Sequence, residues 1–97
     1  LAIGGKGAIS VTANLVPSKC AKLCQAAKEG DIETAKALHY ELLKLNDIMF
    51  IETNPIPVKA ALVLMGRIEN EFRPPLCPPS EESLAQLTAV LKSYSLL

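Results

Sequence analysis

Ninety-seven residues make one modest domain at most, since a chain of this size buries roughly 60–65% of its extended-state surface. Hydrophobic residues form 49% of the chain and charged residues 21%, a globular rather than a disordered mix. Ten Lys and Arg balance ten Asp and Glu, which argues against nucleic-acid binding and polybasic membrane attraction; no apolar run approaches the ~18 residues that cross a bilayer.

The opening Leu1-Ala2-Ile3-Gly4-Gly5-Lys6-Gly7 has neither the charged start nor the long apolar core of a signal peptide, and no initiator Met. The chain therefore reads as a piece cut from something longer. Three cysteines without a secretory signal point to reduced thiols in a cytoplasmic setting. Cys20 and Cys24 lie four apart, Cys77 is remote, and His39 is the only histidine. A tetrahedral zinc site needs more ligands at set spacings, so the thiols are expected to be buried as small hydrophobes.

Residues 7–13 alternate Ile9, Val11 and Ala13 with Ser10 and Thr12, the period-2 pattern of a strand. Pro17 suits the first turn of a helix whose stripe is Cys20, Leu23, Cys24 and Ala27, with Gly30 as its stop. Asp31 caps the next helix, with Glu33 in its first turn. Ala35, Leu38, Leu42, Leu45 and Met49 form its core face, spaced 3, 4, 3, 4. Leu43 and Phe50 add a second flank, so this helix is expected to be about twenty residues long and covered on two sides. It must end before Asn54-Pro55, because a residue preceding proline is pushed out of the helical region.

Asn54, Pro55 and Pro57 open a third helix with Val58, Ala61, Leu62 and Met65 on its stripe and Gly66 at its end. Residues 67–79 contain Pro74-Pro75 and Pro78-Pro79 and read as an extended strap pegged by Phe72, Leu76 and Cys77. Ser80 caps the last helix, Glu81 and Glu82 sit in its first turn, and Leu84, Leu87, Leu91 and Tyr94 form its stripe. The expected inventory is one strand and four helices. A lone strand leaves its ladder groups unpaired, so it needs strands from elsewhere. A glycine turn, strand, loop and helix in that order suits the last repeat of a β/α fold.

Few residues offer chemistry. The cluster Gly4-Gly5-Lys6-Gly7 precedes a strand rather than opening a helix, which reads as a tight turn and not as a phosphate loop. His39 has no serine–acid pair placed around it. Lys59 reads as a helix-surface lysine with its ammonium in water, and Glu52 as helix-end polarity. Composition and spacing point to no catalytic constellation and no metal ligands.

The segments themselves carry a resemblance. Gly4 to Asn14 resembles the GGxGxISVTAN segment of the dihydrodipicolinate synthase family. Glu52-Thr53-Asn54-Pro55-Ile56-Pro57-Val58-Lys59-Ala60-Ala61-Leu62 resembles that family's ExNPIPVKxAL segment, and Arg73 to Pro79 its RLPxxP strap, with Pro74 where many members have leucine. Sister aldolases such as N-acetylneuraminate lyase share the glycine segment more loosely and lack NPIPVK. The resemblance implies a (β/α)₈ barrel followed by a three-helix domain with a proline-rich strap. Residues 1–30 would be the last strand–helix unit of the barrel and 31–97 the appended helices, so the chain is mostly α.

The family condenses pyruvate with aspartate semialdehyde on the way to lysine and diaminopimelate. It does so through a lysine Schiff base, without metal or organic cofactor, as a cytoplasmic homo-oligomer, expected to be a tetramer. The Schiff-base lysine and its catalytic partners lie before Leu1 in the family pattern, so these residues alone are expected to be inactive. One position carries over: Ile9, whose main-chain carbonyl would face the pyruvate site, as barrel chemistry sits at the C-terminal ends of strands. Ala8 replaces the commoner valine beside it. The rival expectation is a free-standing helical interaction module that binds a partner peptide.

Overall fold

The computed structural model describes all residues 1–97. Four helices follow a short 3-10 turn at Thr12–Asn14: α1 (Pro17–Glu29), α2 (Ile32–Ile48), α3 (Ile56–Leu64) and α4 (Glu81–Ser93). Two compact units divide the chain, Leu1–Leu43 and Lys44–Leu97. The division falls within α2.

The expected strand over 7–13 is absent. Gly7 to Ser10 is irregular and Val11 bends into the 3-10 turn. The physical reason is local. No second strand offers a ladder, and side chains close a turn instead: Ser10 Oγ accepts the Ala13 N–H at 3.2 Å, and the Asn14 amide donates to Val11 C=O at 3.0 Å. Short polar side chains compete with strand pairing in this way. Thr12 and Leu15 are buried, which anchors the turn to the first unit; α1 packs on it.

α1 begins with Pro17 at its first position, where a missing N–H costs nothing. It ends as expected at Gly30, φ +80°, where a left-handed residue is needed. Gly30 N–H donates to Ala27 C=O at 3.2 Å and Asp31 N–H to Ala26 C=O at 2.9 Å. Asp31 then starts α2, its Oδ1 accepting the Thr34 N–H at 3.1 Å. The α1 stripe is covered only in part: Cys20, Leu23, Cys24 and Ala27 are half-buried, whereas Ala26 is buried. Within this unit an ion pair between Lys19 and Glu41 joins α1 to α2.

α2 is shorter than expected, 17 residues. Its end tightens into i→i+3 bonds, Phe50 N–H to Asp47 C=O at 3.1 Å and Ile51 N–H to Ile48 C=O at 3.3 Å. Its core face holds: Leu38, Leu42, Leu45 and Met49 are buried, with Ala35 half-buried. The second flank is not covered, since Leu43 is 39% and Phe50 62% exposed. Leu43 lies about 100° around the helix from Leu42, and Phe50 falls beyond its last residue.

In the second unit α3 packs against α4. Pro55 is the N-cap of α3 and Pro57 its second residue; Ile56, Pro57, Val58, Ala60 and Ala61 are buried. Burial so continuous exceeds the stripe expected from spacing, and Leu62 and Met65 are only half-buried. Gly66, φ +69°, closes the helix. Both Asn54–Pro55 and Pro74–Pro75 are cis.

The strap is not extended throughout: Leu76 N–H donates to Arg73 C=O at 3.0 Å and makes a turn across Pro74 and Pro75. Phe72 and Leu76 are half-buried, but Cys77 is exposed rather than a buried peg, since successive extended residues point to opposite sides. Ser80 caps α4, its Oγ accepting the Ser83 N–H at 3.2 Å. Leu87 and Leu91 are buried, while Leu84 and Tyr94 are half-buried.

Candidate functional site

Ile9 stands one residue before the Ser10–Asn14 turn, in the first unit. From Gly5 to Ile9 the backbone makes no hydrogen bond, after a turn in which Gly4 N–H donates to Leu1 C=O at 3.0 Å. The Ile9 side chain is fully exposed. A main-chain carbonyl can only accept, so its chemistry is to orient a hydroxyl, an ammonium or an iminium N–H. It cannot act as a nucleophile or shuttle a proton.

The glycine cluster forms that first turn, with Gly4 at φ +100°, and opens no helix. His39 is exposed on α2, its ring edge-on to Tyr40 at 5.3 Å. Cys20 and Cys24 are half-buried free thiols one turn apart on α1, and Cys77 is a free exposed thiol. The expectation of buried thiols therefore holds only in part. No three His, Cys, Asp or Glu side chains converge as metal ligands, and no helix is long and apolar enough to cross a membrane.

Two polar residues of the 52–62 segment have partners that spacing did not disclose. Glu52 Oε1 accepts the Ser80 N–H at 2.9 Å, across 28 residues of chain. Hydrogen bonds from the Ser83 side chain, then from the Ser80 N–H, hold its carboxyl below the usual range. Lys59 places its ammonium 5.0 Å from the centroid of the Phe72 ring, within cation–π reach. From local sequence Glu52 reads as helix-end polarity and Lys59 as a solvated lysine, because both partners lie far along the chain. The only local signal is that the two flank the proline pair.

The model of the dihydrodipicolinate synthetase family matches residues 1–94. The 4-hydroxy-tetrahydrodipicolinate synthase of Thermodesulfovibrio yellowstonii is 58% identical over all 97 residues, which cover 33% of that relative. That of Nitratidesulfovibrio vulgaris is 52% identical over the same span, again 33% of its length. The crystal structure of dihydrodipicolinate synthase from Aquifex aeolicus matches 98% of the chain with a TM-score of 0.96 and 48% identity, over 32% of its own chain. The chloride-inhibited enzyme of Acinetobacter baumannii, solved in complex with pyruvate, matches with a TM-score of 0.94 and 40% identity, over 98% of this chain and 33% of its own. The chain thus spans about a third of the length of the curated relatives it matches.

Proposed function

The chain belongs to the dihydrodipicolinate synthetase family, and on that premise we propose that it is the barrel-closing and helical part of a 4-hydroxy-tetrahydrodipicolinate synthase. The whole enzyme joins pyruvate to aspartate semialdehyde through a lysine Schiff base, in lysine and diaminopimelate synthesis. It works in the cytoplasm, as a homotetramer, without metal or organic cofactor. The observation that carries this reading is identity of 58% sustained over every residue of the chain. The pyruvate held by the Acinetobacter baumannii neighbour supports the keto-acid substrate.

In this reading residues 1–30 end the barrel and 31–97 form the appended helical domain. Gly7 to Ser10, irregular here, becomes the eighth strand when a neighbouring strand supplies its ladder. Ile9 C=O then accepts from a group at the pyruvate site. Lys59 takes no part in the Schiff base; its ammonium is engaged by Phe72.

A chimera tests the proposal: this chain replaces the matching third of the Thermodesulfovibrio yellowstonii relative. Pyruvate-dependent condensation within about tenfold of the parent is expected. A folded chimera without activity overturns the reading. Residues 1–97 alone, treated with pyruvate and borohydride, are expected to show no adduct, and an adduct on Lys59 would overturn the site assignment.

A further inference from the structure

We propose that Glu52 and Lys59, the only ionisable residues of segment 52–62, latch the proline strap on either side of its two proline pairs, so that residues 72–80 are a fastened flap. This stands on contacts within the second unit and is independent of the proposed function. Phe72 lies just before the two proline pairs of the strap and Ser80 just after them; Lys59 holds the first and Glu52 the second.

The Glu52 contact answers a specific deficit. At a helix start of the form Ser-x-x-Glu, the serine oxygen takes the N–H three residues on, and the glutamate returns to the serine's own N–H. Here the first half is present, Ser83 N–H to Ser80 Oγ at 3.2 Å. The third residue is Ser83, too short to return. Glu52 supplies the missing carboxylate from 28 residues away. Its charge also suits the positive end of the α4 dipole.

The Lys59 contact works on the other side of the prolines. Past Arg67, whose N–H closes α3 on Leu62 C=O at 2.9 Å, and before Ser80 the strap's backbone bonds only to itself, Glu71 N–H to Glu69 C=O at 2.9 Å and Leu76 N–H to Arg73 C=O at 3.0 Å. Those turns shape the strap without attaching it. Half-burial of Phe72 together with the cation above its ring supplies the attachment. Pro55 and Pro57, whose rings fix φ, set the spacing between the two tethers. Glu52 and Lys59 are positioning residues, and the motif that contains them is a fastening.

Amide hydrogen exchange on the 97-residue chain tests the latch residue by residue. In Glu52→Ala the Ser80 amide is expected to exchange at least tenfold faster, with Asp31 N–H, bonded at the end of α1, unchanged as the internal reference. Glu52→Gln keeps an acceptor oxygen, so its increase should be smaller; it is the variant to read if Glu52→Ala does not fold. In Lys59→Met the Leu76 and Glu71 amides should exchange several-fold faster, with Ser80 little affected. The double variant should be cut faster by trypsin after the already exposed Arg67. A Ser80 rate within twofold of the parent in a folded Glu52 variant, or an unchanged Leu76 rate in Lys59→Met, overturns the latch. So does equal acceleration at Asp31, which would mean the whole chain is loosened.

Discussion

Asp31 takes the Thr34 N–H on its carboxylate at 3.1 Å while its own N–H closes the preceding helix on Ala26 at 2.9 Å. One residue thus ends α1 and begins α2. Hydrogen bonds from the Thr34 side chain and then its N–H lower the Asp31 pKa from its ordinary 3.8, and Glu52 at the start of α4 is likewise lowered from 4.5. A carboxyl with a depressed folded pKa stabilises the fold above its unfolded value and loses that contribution as pH falls through the folded value. Thermal midpoints should therefore hold steady from pH 7 to about 5 and fall below the ordinary values of 4.5 and 3.8. Asp31→Asn, which still caps but cannot titrate, should flatten part of that fall; an unchanged acid slope would contradict the assignment.

Leu42 is 2% exposed on the core face of α2. Leu42→Ala should cost about 2–5 kcal/mol, the range for removing a buried leucine from a core that collapses incompletely. Leu43→Ala, on the uncovered side at 39% exposure, should cost under about 1 kcal/mol. Urea midpoints of the two variants give the comparison, and equal losses would show the stripe to be misphased.

Three helix ends share one closure, and one of them uses the wrong residue for it. Gly30 and Gly66 take the left-handed position after α1 and α3, but Ser95 takes it after α4 at φ 54°, with Leu96 N–H donating to Leu91 C=O at 3.0 Å. Glycine there avoids the Cβ penalty. Ser95→Gly should raise stability by about 0.5–1 kcal/mol, and Gly30→Ala should lower it by about 1–2 kcal/mol. Denaturant titration of both variants reads the two signs; a destabilised Ser95→Gly would contradict the closure argument.

The proposed role of Ile9 is a backbone role, so side-chain changes should be mild. In the chimera, Ile9→Val removes one methyl at a cost of about 0.5–1.5 kcal/mol and should leave turnover within a few-fold. Ile9→Pro forces φ near −65° and moves the carbonyl; a shift of ~1 Å at a reacting centre costs ~100-fold in rate. Turnover and apparent pyruvate affinity, with folding checked by circular dichroism, decide it. A folded Ile9→Val variant slowed by orders of magnitude would make the side chain the working group.

Local chemistry made the helices legible. Gly30, Asp31, Gly66 and Ser80 each act through bonds to residues within five positions, and Pro17 through the N–H it lacks, so their effects are written in adjacent sequence. The core face of α2 was equally legible, because a 3.6-residue period says which side chains share a face. Coverage of a face is another matter. Leu43 and Phe50 are as apolar as Leu42 and Met49, yet they are exposed, because a period says which residues share a face and not whether anything packs on it.

The strand expectation failed for the same kind of reason. Alternation at Ile9, Val11 and Ala13 states a compatibility with pairing, but pairing needs a neighbour, and without one Ser10 and Asn14 bond to their own backbone. Local sequence alone marks the caps and glycine stops of α1, α3 and α4, the α2 face that seeks the core, and the family, through segments 4–14 and 52–62, whereas α2 stops short of its expected length. That Glu52 meets Ser80 and Lys59 meets Phe72 follows from how the helices and strap pack, because no local period or spacing encodes contacts between residues far apart in the chain.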